Sequence, residues 1–238
     1  MKRAAPFFAI LGFWQIVASL QLLPAFVLPT PVSVLRAMID NSELLYHNTL
    51  VTLGEVLAGI AIGLFFGIAA AFIMMLSAGV RRVLRPVLTG SQALPVFVLA
   101  PVLTIWFGYG AGPKILMTVL LVFFPVASGL LDGLLATPAA TLDLAHIAKA
   151  SQWRTLIWLR LPHALPQLGA SLRIAVTYAP TGAVIGEWVG ASKGLGYLML
   201  MSNARLRIDL MFAALALIVA MTLVLNIVTH RFLRRFEI

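Results

Sequence analysis

Apolar residues run along this chain in six long stretches, near residues 6–23, 50–76, 87–109, 113–131, 167–190 and 209–230. A helix that crosses the hydrocarbon core of a bilayer needs about 20 predominantly apolar residues. The pattern therefore predicts about six transmembrane helices. The third stretch contains Pro95 and Pro101 and is expected to be kinked or locally broken. The fourth is short and leans on Phe123, Phe124 and Pro125. Two more polar segments separate the stretches. Residues 24–48 carry Pro24, Pro29 and Pro31, then a short amphipathic helix with Arg36, Asp40 and Glu43, expected outside at the membrane surface. Residues 132–166 are expected in the cytoplasm. Gly59, Gly63 and Gly67 share one helix face, as do Gly182, Gly186 and Gly190. Such stripes let helices approach closely in lipid, within one bundle or at a subunit seam.

Composition supports a membrane setting. The chain has 238 residues, of which 61% are hydrophobic and 11% charged. Soluble domains carry roughly 25% charged residues, so lipid must solvate much of this exterior. One domain, residues 1–238, is expected at this length. The net charge is +9, but the basic residues sit in clusters between apolar stretches and give no nucleic-acid signature. Lys2, Arg3, Arg81, Arg82, Arg85, Lys149, Arg154, Arg160, Arg231, Arg234 and Arg235 fall on one side of a six-span topology. Arg36, Lys114, Lys193, Arg205 and Arg207 fall on the other, and Arg173 lies within the fifth stretch. The positive-inside rule then puts both termini in the cytoplasm. The N-terminal stretch is longer than a signal-peptide core and is expected to be a retained helix. Cysteine is absent, which removes disulfide and thiol chemistry.

Asp143 to Pro166 reads DLAHIAKASQWRTLIWLRLPHALP. Its first part has helical propensity, and Trp153, Leu156, Ile157 and Leu161 extend an apolar pattern. Pro162 and Pro166 are expected to end this element and start the next span. From periodicity alone, a half-apolar helix here could rest on the membrane, on its own bundle or on a partner. The segment resembles the EAA loop of permeases from binding-protein-dependent ABC importers, whose pattern is E-A-A-x3-G-x9-I-x-L-P between the fourth and fifth of six spans. Asp143 falls at the E position, Leu144 and Ala145 at the two A positions, Lys149 at G, Leu159 at I, and Leu161-Pro162 at L-P. Leu144 replaces a small residue, and Lys149 replaces a glycine where a turn would need positive φ.

The likeness extends over roughly residues 45–235. LPVFVLAPVLTIWFGYGAGPK, Leu94 to Lys114, and GAVIGEWVGASKGLGYLML, Gly182 to Leu200, are similar to permeases of the nitrate, sulfonate, taurine and pyrimidine-precursor group. APTGAVIGEWVG and RIDLMFAAL most resemble those assigned to hydroxymethylpyrimidine, a thiamine precursor. The resemblance implies an all-α type I importer permease of the MetI-like fold in the bacterial inner membrane. It further implies a second identical copy, a cytoplasmic ATP-binding subunit docked on Asp143–Leu161, and a periplasmic or lipid-anchored substrate-binding protein. ATP would be bound by the partner subunit, and this chain would hold no cofactor. Ala145, the alanine kept from the motif, would pack on the ATPase.

Gln92, Trp106, Tyr178 and Glu187 are the candidate path residues, with Trp106 or Tyr178 suited to stacking on a flat heteroaromatic solute. Glu187 would face the path, pair with Arg173 or lie hydrated at the outer interface; Glu55 is expected at that interface too. Asp143, His146 and His163 have no metal-ligand spacing. GYGAG at Gly108–Gly112 lacks the strand and Lys-Ser/Thr of a phosphate loop. An ion-gradient transporter would need more buried charges and an internal repeat. An enzyme would need a polar cluster at the membrane edge.

Overall fold

The structure is a computed structural model that describes residues 5–20, 24, 26–92 and 94–234. The described residues are helical and turn, without strands. The order is α1 Ala5–Ser19, α2 Pro31–Asp40, α3 Ser42–Leu76, α4 Ala78–Ser91, α5 Val96–Phe107, α6 Ala111–Leu135, α7 Ala139–Ile147, α8 Gln152–Thr155, a π-helical turn Leu156–Arg160, α9 Leu161–Trp188, α10 Leu195–Ala204 and α11 Ile208–Arg234.

Local chemistry sets several boundaries. Thr30 Oγ1 accepts the Ser33 N–H at 3.1 Å, and Pro31 sits at the first position of α2, where no N–H is needed. Ser77 and Ser151 start α4 and α8 in the same way, accepting from the N–H groups of Val80 and Arg154. No proline interrupts residues 42–76. The polar residues from 42 onward therefore join the second apolar stretch in one helix of 35 residues, about 52 Å at 1.5 Å per residue.

Among the described residues, four helical rods are long and apolar enough to cross a membrane: α3, α6, the run Gln152–Trp188 and α11. A fifth is formed if α4 and α5, whose axes differ by 105°, make one broken span. The break expected in the third stretch is at Pro95, which caps α5, while Pro101 is accommodated inside it. The first span, expected over 6–23, corresponds to α1 of 15 residues. That is shorter than the roughly 20 needed to span, and residues 21–23 lie outside the described residues.

Pro162 does not end the loop element. The Leu161 N–H bonds to the Leu156 carbonyl five residues back, so the ladder shifts register and continues into α9. The helix therefore runs without a break from Gln152 to Trp188.

The core is α6 clamped between α3 and α9. Gly59, Gly63 and Gly67 face Thr118, Val122 and Val126 of α6; a Cβ on Gly63 would lie 2.8 Å from Val122. On the other side, Gly182 and Gly186 face the backbone of Thr118 and Lys114, and Gly129 of α6 faces Ser171. These glycines thus serve packing within one chain, whereas Gly190, expected on the same face as Gly182 and Gly186, lies past the end of α9 against Tyr109. Val56, Val122, Val126, Ala175, Ala179 and Ala183 fill the centre. Ala71, Met74, Leu130, Leu134, Leu156 and Ala164 close the end nearest α7. Val34, Leu45, Leu195, Leu210 and Met221 join α2, α3, α10 and α11 at the other end.

Candidate functional site

The segment that resembles the EAA loop folds as α7, a tight turn, α8 and the π-helical turn. Lys149 occupies the motif's glycine position and adopts φ 51°. The left-handed turn is therefore kept although the glycine is not, and the Ala150 N–H closes it on the Ala145 carbonyl at 2.9 Å. Ala145 is 6% exposed and lines a cavity together with Leu156 and Arg160. Ala145, expected to pack on a partner, is buried within this chain. The outward side chains are Asp143, Leu144, Ile147 and Lys149, with Ile147 79% exposed. Leu159 and Leu161 are half-buried, Leu161 against the core of α3 and α6, and Pro162 is exposed.

A second polar site lies where α3, α6, α9 and α10 meet. Glu187, 1% exposed, accepts hydrogen bonds from the Thr52 hydroxyl at 2.6 Å and from the N–H groups of Gly196 and Tyr197 at the start of α10. Thr52 Oγ1 in turn accepts from the Leu195 N–H at 2.8 Å, and Asn48 Oδ1 from the Gly194 N–H at 2.7 Å. Four N–H groups at the start of α10 are thus satisfied by three side chains from α3 and α9. A carboxylate is favoured there because unpaired N–H groups give a helix N-terminus partial positive charge. Gly194 has φ 114°, and a Cβ on it would overlap the Glu187 carboxylate. Glycine is required there on both counts.

Close by, Lys114 Nζ and Glu55 Oε1 form an ion pair at 3.5 Å, and both residues are buried. Lys114 lies in the first turn of α6, within the fourth apolar stretch, and Glu55, expected at the interface, is buried inside the bundle. The Glu187 contacts described here are to α3 and α10.

Sequence reasoning missed Asn48, Thr52, Gly194 and Gly196. The signal was present on α3. Positions 48, 52, 55, 59, 63 and 67 follow helical three-and-four spacing. The stripe that clamps α6 through glycines continues upward as Asn48, Thr52 and Glu55. The other path candidates are on different elements: Gln92 is exposed at the α4–α5 break, Trp106 is 72% exposed on α5, and Tyr178 is exposed on α9.

Residues 63–237 match the family described as binding-protein-dependent transport system inner membrane components. A probable ABC transporter permease of Haemophilus influenzae is 47% identical over 95% of this chain and 93% of its own length. The formylaminopyrimidine transport permease ThiX of Halalkalibacterium halodurans is 37% identical over 80% of this chain and 76% of its own. An inward-facing structure of the MetNI methionine ABC transporter shares the fold, with a TM-score of 0.71 at 18% identity, covering 82% of this chain and 97% of that one. The chain therefore belongs to the binding-protein-dependent inner membrane components: it is a multi-pass permease subunit of an ABC importer for a small solute, a transporter part and not an enzyme.

Proposed function

We propose that two copies of this chain form the path for a small pyrimidine-type solute, with hydroxymethylpyrimidine as the first candidate. Family membership implies an ATPase subunit and a substrate-binding protein as partners. In this reading the ATPase binds the nucleotide and docks on the outward face of α7, around Leu144 and Ile147. Both termini then lie in the cytoplasm, as the basic residues near α4, α8 and the end of α11 favour. Gln92, Trp106 and Tyr178 are the proposed path residues; Glu187 is proposed as a positioning residue for α10.

The observation that carries the coupling role is the unbroken helix from Gln152 to Trp188. A push on the α7–α8 loop meets a helix whose backbone ladder continues through the π-helical turn and past Pro166 and Pro180. It is transmitted along α9 to Glu187 and so to the turn before α10. Closure of an ATPase dimer could therefore move both ends of α9 together. The pyrimidine assignment is supported by the likeness to ThiX, named for formylaminopyrimidine transport.

The test is uptake in proteoliposomes containing the permease, its ATPase and its binding protein, with radiolabelled hydroxymethylpyrimidine supplied outside. ATP-dependent accumulation that unlabelled formylaminopyrimidine, but not taurine, competes away is expected. Accumulation of taurine or an alkanesulfonate in its place would overturn the substrate.

A further inference from the structure

Helix α4 carries more than a break in a span requires. Val80, Val83, Leu84, Val87 and Leu88 fall on one arc of the helix, and Arg81, Arg82, Arg85 and Thr89 on the other. Leu84 and Leu88 pack on the core of α3 and α6. Val80, Val83 and Val87 are exposed. An exposed apolar stripe beside a basic stripe is the pattern of a helix lying in a membrane interface. The 105° turn into α5 agrees with a helix that lies along the membrane before the chain enters it.

At the start of α4, Arg81 lines a cavity of about 420 Å³ together with Arg160, His146, Gln152, Thr155 and Leu156. Arg81 Nη1 donates to the Met74 carbonyl at 3.3 Å, and Arg160 Nη1 donates to the Leu134 carbonyl at 2.9 Å. Each guanidinium is held by one nitrogen and keeps further N–H donors of its five. No Asp or Glu lines the cavity. Among the described residues neither arginine has a carboxylate in ion-pair range, whereas Arg85 pairs with Asp132 at 2.9 Å. Two anchored like charges facing one cavity repel each other. An oxyanion between them turns that repulsion into two charge-assisted hydrogen bonds.

We propose that this cavity binds the phosphate of an anionic phospholipid, held by Arg81 and Arg160. The amphipathic α4 sets the start of this helix, and with it Arg81, at the membrane boundary, where basic pockets collect anionic headgroups; this favours a lipid over a soluble phosphate. A lipid bound there ties α4 to the α7–α8 loop and seats the loop against the bundle.

The test is native mass spectrometry of the full-length permease in mild detergent, titrated with phosphatidylglycerol or with phosphatidylcholine. Phosphatidylglycerol is expected to bind the more tightly, and Arg81→Gln with Arg160→Gln to weaken it about thirtyfold, the effect of two charges near a surface. Arg81→Lys with Arg160→Lys should restore most of that loss. Arg82→Gln, outside the cavity, should leave it nearly unchanged. If the double glutamine variant does not fold, Arg81→Gln alone decides, with about a fivefold loss expected. Equal affinity for the two lipids, or unchanged binding in these variants, overturns the proposal. Full displacement of the lipid by millimolar inorganic phosphate overturns it in favour of a soluble anion. Equal lipid affinity with weakened ATPase co-purification in Arg81→Gln overturns it in favour of a protein carboxylate.

Discussion

Glu187 offers the sharpest test of how the α9–α10 turn is held, because two substitutions there should differ widely. Glu187→Ala removes the acceptor for the Thr52 hydroxyl and the Gly196 N–H, and for the longer contact from Tyr197. Thr52 can turn its hydroxyl to the Asn48 carbonyl at 3.2 Å, so the Gly196 N–H is the close, buried donor left without a partner, at a cost of about 1–3 kcal/mol. The cavity left by the buried side chain adds about 2 kcal/mol. In a chain of this length about 1 kcal/mol moves the thermal midpoint by 2–4 °C, so Glu187→Ala should lower it by roughly 10 °C. Glu187→Gln is different. With its oxygen toward Gly196, its amide nitrogen faces Thr52 Oγ1, which can accept that hydrogen and turn its own toward the Asn48 carbonyl at 3.2 Å. Only the charge assistance is lost, about 1 kcal/mol. Thermal unfolding of the purified variants in one detergent separates the two, with uptake measured alongside. A Gln variant as unstable as the Ala variant would show that the charge, not the hydrogen bonding, holds the turn. A fully stable Ala variant with lost uptake would make Glu187 a path residue instead.

Other substitutions probe the remaining packing and turns. Lys149→Gly should stabilise the α7–α8 loop by about 1 kcal/mol, since a non-glycine residue at φ 51° bears a left-handed penalty; slower proteolysis of the loop would show it, and faster proteolysis would refute it. Lys114→Met should destabilise by about 1–3 kcal/mol because the buried Glu55 loses its cationic partner and keeps Glu187 beside it, whereas Lys114→Met with Glu55→Leu should recover most of that; equal midpoints for the single and double variants would contradict the pair. Gly63→Leu drives a side chain into Val122 and should prevent normal insertion or folding, read as loss of the monodisperse peak on size exclusion; a normal peak would place the stripe at another surface.

The fold was legible to the extent that helix signals are local. Hydropathy marks α3, α6, α9 and α11, and Pro95 marks the α4–α5 break. The motif spacing located the α7–α8 loop, and the glycine stripes announced the clamp on α6. Three things were hidden because they depend on partners far along the chain. Glu55 and Lys114 look like interfacial charges until the bundle brings them together. Glu187 reads as an isolated ionisable residue until α10 presents its N–H groups. Ala145 was expected on an outer face, and only the folded loop, closed by the Ala150 N–H on the Ala145 carbonyl, shows that it is buried. Lys149 shows the reverse limit: the substituted residue argued against a left-handed turn, and the hydrogen bond from Ala150 to Ala145 holds it there nonetheless.

The coupling role of the α7–α8 loop is tested most directly by ATP hydrolysis in proteoliposomes that contain this permease, its ATPase subunit and its binding protein. Hydrolysis should require the ATPase subunit and rise when loaded binding protein is added outside. Ile147→Asp, on the outward face of α7, should abolish that rise while the permease still inserts and keeps its thermal midpoint. Hydrolysis by the permease alone, or full stimulation in Ile147→Asp, would contradict the account.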